Sequence, residues 1–166
     1  MSVQDFSKIS HHDVARAEIE AWRGECLDLF AQGEAMIGAL LELGLQKKFE
    51  IRLDQYAAQR TLEAMRLIDL IGGSDAEVKD AGDALLRWQG VESRGELLAH
   101  GTSKTTLDRD GHWYAVIDMV TYRAGKANRG RWVVNQAESE DFLKQLGKAT
   151  TKLKLQLGCA RLRLDG

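Results

Sequence analysis

The sequence contains no proline in 166 residues and only two cysteines, Cys26 and Cys159. Without proline, long helices need not be interrupted, and turns must use glycine and short polar side chains. The cysteines lie far apart, and neither has a second cysteine or histidine at metal-site spacing. The chain is therefore neither a disulfide scaffold nor a zinc module, and we predict no metal or other cofactor.

Long hydrophobic runs and a strong net charge are also absent. The most apolar run, Ile37 to Leu41, is broken by Glu42 well short of membrane length. Residues 1–7 lack the basic-then-apolar pattern of a signal peptide. We therefore predict a cytoplasmic protein without a membrane segment. The formal net charge of −2 argues against indiscriminate coating of nucleic acid, but it is compatible with a local basic patch.

Helical periodicity covers most of the chain. Apolar residues three and four apart predict three helices before residue 101. They are Ser10–Leu43, Glu50–Ile71 and a third that begins at a capping box on Ser74 and reaches His100. Asn135, with Glu138 three residues later, predicts the start of a fourth helix, and Gly158 its end. The tail after Gly158 is predicted to be loose or to add an edge strand.

Between the third and fourth helices the period changes to two. Alternation from Lys104, with Asp110-Gly111 at a turn, predicts a β-hairpin. A loop from Arg123 to Gly130 and a third strand, Arg131 to Val134, are predicted to follow. The predicted fold class is mainly α: a four-helix bundle with a small antiparallel β-hairpin or meander inserted at about residues 104–134. Composition predicts a single soluble domain over residues 1–166.

The segment from Arg94 to Thr102 joins a predicted helix end to a predicted strand start. It contains a phosphate-binding cation, Arg94, and a potential proton-transfer residue, His100. A guanidinium binds phosphodiesters, and an imidazole titrates near neutral pH, so Arg94 and His100 together could cleave RNA without metal. Residues six apart on a helix do not lie side by side. The pair would converge only if the helix unwound, which Gly95 and Gly101 would ease.

A structural interpretation of the same segment stays open. A histidine in the last helical turn interacts favourably with the helix dipole, and Gly101 is a natural residue after a helix end. Arg94 could pair with Glu92 or Glu96 on a solvated face. In that case the chain would be a non-catalytic dimerisation or protein-interaction module. A small-ligand sensor is a third possibility.

A helical bundle whose third helix ends with Arg94, a short spacer and Leu98-Ala99-His100-Gly101 resembles the HEPN superfamily. The resemblance implies a metal-independent endoribonuclease of a toxin–antitoxin or defence system that leaves 2′,3′-cyclic phosphate ends. His100 would be the general base, and Arg94 would stabilise the transition state. Gly95 stands where that superfamily usually has a polar residue. The resemblance also implies a homodimer, an RNA substrate and a possible antitoxin protein as partner.

A second candidate site is the predicted loop from Arg123 to Arg131. Its cations are Arg123, Lys126, Arg129 and Arg131, and the site would bind RNA phosphates while Trp132 offers a stacking surface. The alternative is a solvated hairpin loop that protects a sheet edge from aggregation.

Overall fold

The computed structural model describes residues 10–166. The described chain is mainly helical and has a three-stranded antiparallel sheet between its third and fourth helices, as the fold class predicted at this coarse level. The elements are α1 His11–Gln46, α2 Ala57–Ile71, α3 Asp75–His100, β1 Thr102–Leu107, β2 Trp113–Arg123, β3 Lys126–Asn135 and α4 Gln136–Asp165. Residues 1–7, on which the prediction of no signal peptide depends, lie outside the described residues.

Capping residues define three helix starts as predicted. The Ser10 hydroxyl accepts a hydrogen bond from the Asp13 amide at 3.1 Å, and Ser74 with Glu77 forms a capping box. The start of α4 has the same reciprocal pattern: the Asn135 side chain accepts from the Glu138 amide at 2.9 Å, and the Glu138 carboxylate accepts from the Asn135 amide. Each cap satisfies amides that have no partner inside the helix.

The chain divides into two compact units, which we describe separately. Within the described residues, unit 1 consists of residues 10–26 and 96–143 and contains the whole β-sheet. Its strand order is β1-β2-β3, and both strand pairs are antiparallel. One sheet face is covered. The buried residues of unit 1 come from this covered face and from the helical segments. They are Ala15, Ile19, Trp22, Cys26, Leu97, Leu98, Trp113, Ala115, Ile117 and Val134.

Unit 2 consists of residues 27–95 and 144–166 and is helical. Its core is built from apolar residues at helical spacing. They are Phe30, Ile37, Leu40, Leu41, Ala64, Leu67, Ile68, Ala81, Ala84, Leu85, Trp88, Leu146, Ala149, Leu153, Leu157, Ala160 and Leu164.

Four predicted element boundaries are wrong. α1 continues past Leu43 to Gln46, and α2 begins at Ala57 instead of Glu50, because residues 47–56 are not helical. α4 continues through Gly158 to Asp165, because Ala160 and Leu164 extend its buried stripe beyond Leu157. β3 begins at Lys126 instead of Arg131, and the predicted loop shrinks to Ala124 and Gly125. Both of these residues have positive φ, 50° and 73°, as in the tight turns that join antiparallel strands.

Candidate nucleic-acid interface

The end of α3 places His100 at the edge of the sheet in unit 1. His100 is the last residue of α3, and β1 begins two residues later. Gly101 between them is buried, and its amide donates to the Leu97 carbonyl at 2.8 Å. A Cβ at Gly101 would overlap that carbonyl oxygen and approach Ile117 Cγ2 to 2.6 Å. Only glycine fits this close turn, so His100 is held where the helix meets the strand.

The carbonyl groups at the end of α3 are bound by Arg23 rather than by His100. Arg23 Nε donates to the Leu98 carbonyl at 2.6 Å, and one Nη2 hydrogen goes to the Gly101 carbonyl at 3.1 Å. The His100 side chain is exposed and makes no hydrogen bond or ion pair within residues 10–166. An accessible imidazole that is not a helix cap is available for proton transfer.

Arg94 lies within α3 and is half-buried. α3 is continuous from Asp75 to His100, so the unwinding that would bring Arg94 beside His100 does not occur. On a continuous helix these two residues point about 120° apart around the axis. Gly95, whose conformational freedom was expected to permit unwinding, is helical, and a Cβ there would lie 3.1 Å from the Phe30 ring.

The uncovered face of the sheet is mixed basic, aromatic and apolar. Strand alternation and register assign thirteen residues to this outer face. They are Thr102, Lys104 and Thr106 from β1; Tyr114, Val116, Asp118, Val120 and Tyr122 from β2; and Ala127, Arg129, Arg131, Val133 and Asn135 from β3. Tyr122 is 79% exposed, and Val133 is 51% exposed. The face therefore offers planar apolar surface beside three cations.

The single carboxylate of the outer face is already paired. Arg131 Nε lies 2.6 Å from Asp118 Oδ1, and Arg131 Nη2 lies 3.2 Å from Oδ2, a bidentate arrangement. This Arg131 contact lowers the pKa of Asp118, so the pair is charged and internally neutral at neutral pH. Lys104 and Arg129 then leave the outer face with a net positive charge.

The four cations of the predicted RNA-binding loop do not act as one group. Arg129 and Arg131 lie on the outer face. Arg123 and Lys126 are paired with each other at the hairpin tip, and strand alternation assigns both to the other face of the sheet. Trp132 is half-buried and packs edge-to-face against Trp22 and Phe142, with ring centroids 5.6 Å and 5.0 Å apart. Because Trp132 packs inside unit 1, Tyr114 and Tyr122 are the aromatic side chains of the outer face.

Sequence reasoning missed two features of this interface. The alternation of β2 indicated that Tyr114 and Val120 share a face, but Lys104 could be added to it only after the register was known. Arg23 had no local signal at all, because its hydrogen bonds reach residues 75 and 78 positions away.

The turn between β1 and β2 contains the only cluster of potential metal ligands found within residues 10–166. It consists of Asp108, Asp110 and His112, whose ligand atoms lie within 4.8 Å of one another. Asp108 Oδ1 accepts the amides of Asp110 and His112 at 2.9 Å, and Asp108 Oδ2 lies 3.2 Å from His112 Nδ1. These bonds, with the His112 amide contributing most, lower the pKa of Asp108. The turn itself therefore accounts for the arrangement.

Comparison with other proteins gives no family assignment. Among helices in residues 10–166, none combines the length and apolarity that crossing a bilayer requires. No protein-family model, curated protein or solved structure matches this chain, so the resemblance to HEPN proteins stays a sequence-based prediction.

Proposed function

We propose that this protein binds single-stranded RNA on the outer face of its sheet and cleaves it without a metal ion. The observation that carries the proposal is the composition of that face, in which two tyrosines and three valines lie among Lys104, Arg129 and Arg131. Unstacked bases pack on aromatic rings, and cations bind the phosphates that follow the strand. Arg123 and Lys126 extend this positive charge to the hairpin tip.

His100 is the proposed general base. It would take the proton of a ribose 2′-hydroxyl while the 2′-oxygen forms a bond to phosphorus. The bond from phosphorus to the 5′-oxygen breaks, and solvent protonates the leaving oxygen. The products are a 2′,3′-cyclic phosphate and a 5′-hydroxyl end. Exposure of His100, together with the capping of α3 by Arg23, supports this role.

The HEPN-type setting is part of the same proposal: a four-helix bundle, a homodimer, and a toxin or defence protein with an antitoxin partner. Because Arg94 does not lie beside His100 on α3, it would act on phosphate from the second copy of a symmetric dimer. Two free thiols favour a reducing, cytoplasmic location. Light scattering at micromolar concentration tests the dimer, and a monomer mass would contradict a shared active site.

Binding is tested by fluorescence anisotropy with a labelled single-stranded RNA of mixed sequence. Arg129→Gln should weaken binding and reduce the slope of log Kd against log salt by about 0.7, the loss of one phosphate contact. The matched control is Arg87→Gln, an exposed arginine of α3 in unit 2 with the same change of net charge. Equal effects of the two variants would show that only net charge matters and would refute the sheet interface.

Cleavage is tested by detecting cyclic-phosphate ends after incubation with RNA. His100→Ala should reduce the rate by about 10²–10⁴-fold, the usual effect of losing a general base. The exposed His112→Ala is the matched control and should cleave normally. EDTA should not inhibit. If wild-type protein binds RNA without cutting it, or if His100→Ala cuts as well as wild type, the nuclease assignment fails.

The competing function is a protein-interaction module, in which the valines of the outer face contact a protein. Val120 is 41% exposed and Val133 is 51% exposed, so apolar contact area exists there. No measurable RNA binding at low salt would favour this function over the proposed one.

A further inference from the structure

We propose that Arg23 binds the scissile phosphate in front of His100 and supplies a guanidinium from the same chain. This inference rests on the proposed RNA cleavage and names a residue for it that the Arg94–His100 motif does not contain. Both Arg23 and His100 belong to unit 1.

The hydrogen bonds of Arg23 fix its guanidinium at the end of α3, where His100 is the last residue. Its two acceptors, the carbonyls of Leu98 and Gly101, bracket His100 in the chain. Gly101 directly follows His100, so chain geometry puts the His100 Cα within about 9 Å of Arg23 Nη2, which is bonded to the Gly101 carbonyl. A nucleotide whose 2′-hydroxyl donates to His100 while its phosphate accepts from Arg23 spans a gap of this size.

The guanidinium also has unused binding capacity. Arginine carries five N–H donors, and Arg23 uses one on Nε and one on Nη2. Within residues 10–166, Arg23 has no carboxylate partner, although its side chain is half-buried. Three donors therefore remain at the end of α3, and the helix carbonyls compensate the guanidinium charge only in part. An anion is the ligand that this arrangement fits, and a phosphodiester oxygen pair matches the planar fork.

Arg23 differs in this respect from the other arginines of unit 1 with a fixed geometry. Arg16 pairs with Glu20 at 3.0 Å, and Arg131 pairs with Asp118. Their charges are compensated by carboxylates, whereas Arg23 binds only neutral carbonyls. A preorganised guanidinium loses little side-chain entropy when a phosphate binds.

Kinetics of RNA cleavage provide the first test. Arg23→Lys keeps the charge but loses the fork, and we expect kcat/KM to fall at least tenfold. The matched control is Arg16→Lys on the same helix, which should stay within twofold of wild type. Thermal midpoints of both variants are measured so that a loss of folding is recognised. If Arg23→Lys is folded and cleaves at the wild-type rate, the inference is refuted.

A second test does not require cleavage. Inorganic phosphate is titrated into uniformly labelled protein, and the Hε1 resonance of His100 is followed by NMR. The resonance should shift in wild type and in Arg16→Lys but not in Arg23→Gln. A wild-type resonance that does not move would overturn the phosphate site. If phosphate moves the resonance through Arg23 while RNA stays intact, the anion site stands and the nuclease proposal fails instead.

Discussion

Glycines 33 and 38 both lie within α1, yet their surroundings differ completely. A Cβ at Gly33 would overlap the six-membered ring of Trp88, whereas a Cβ at Gly38 meets nothing within 4 Å. Trp88 is fully buried and packs edge-to-face on Phe30 at 5.6 Å, so its ring has no room to move away. The sequence shows only a glycine in a helix at both positions; the packing of Trp88 decides which one is required.

Gly33→Ala should therefore destabilise the protein, by about 1–3 kcal/mol, the usual cost of overpacking a core. The free energy of unfolding is measured by urea titration with circular dichroism. Gly38→Ala is the matched control and should be neutral or stabilising by up to about 1 kcal/mol, because alanine favours helix over glycine. A Gly33→Ala protein as stable as Gly38→Ala would show that Trp88 does not need the glycine.

Glu92 is the buried carboxylic acid of unit 2. Burial raises its pKa above the ordinary value of 4.5, although a hydrogen bond from the Thr61 hydroxyl at 2.8 Å opposes the shift. The Glu34 carboxylate raises this pKa further, and the Arg60 cation lowers it. In the pH range between the ordinary and the raised value, the folded protein keeps a proton that the unfolded chain has lost.

The contribution of Glu92 to stability should therefore fall as pH rises through that range and be most favourable below it. Glu92→Gln removes this ionisation and keeps an oxygen for the Thr61 hydroxyl. The variant should be more stable than wild type at pH 8, and the difference should vanish at the acid end of the range. Urea midpoints measured across pH test this. Glu96→Gln, an exposed change on the same helix, should parallel wild type. If the urea midpoints of Glu92→Gln and wild type changed in parallel with pH, the ionisation of Glu92 would not affect stability and the prediction would be wrong.

At the scale of elements, local chemistry predicted the starts of α1, α3 and α4 but not that of α2, which has no side-chain cap. The first four amides of a helix have no internal partner, and Ser10, Ser74 and Asn135 are residue types that bind such amides. The elements that were misjudged depend on distant contacts. α4 continues past Gly158 because Ala160 and Leu164 are buried in the core of unit 2. β3 begins early because β2 is long enough to pair with Lys126.

Asn135→Ala should destabilise the start of α4, at a cost of about 0.5–2 kcal/mol. The substitution removes the acceptor of the Glu138 amide, which lies 2.9 Å from the Asn135 side-chain oxygen. Asn135→Asp keeps that acceptor and should unfold close to the wild-type urea midpoint. Identical midpoints for the alanine and aspartate variants would mean that the cap contributes nothing to stability.

At the scale of the whole molecule, the two cysteines distinguish the folded chain from the unfolded one. Cys159 is exposed, whereas Cys26 is fully buried, and burial raises the pKa of the Cys26 thiol to about 12. The thiolate is the reactive form, so Cys26 is protected both by lack of access and by its protonation.

One thiol per chain should therefore react rapidly with a disulfide reagent at neutral pH, and the second only on unfolding. The absorbance of the thiol released from the reagent gives the number of protein thiols that react and the rate of each, with and without urea. Cys159→Ser should abolish the fast phase and leave the slow one. Rapid reaction of both thiols in the native protein would contradict the burial of Cys26.

The sequence alone determined the order of the helices and strands, the alternation of β2 and the position of His100 at a helix end. Periodicity, capping and turn chemistry are properties of a few neighbouring residues, so they can be read without the fold. Tertiary structure alone decided that Arg129 shares a face with Lys104, that Trp132 packs inside unit 1, and that Arg23 binds the end of α3. These depend on strand register and on contacts between residues far apart in the chain, and no local pattern encodes them.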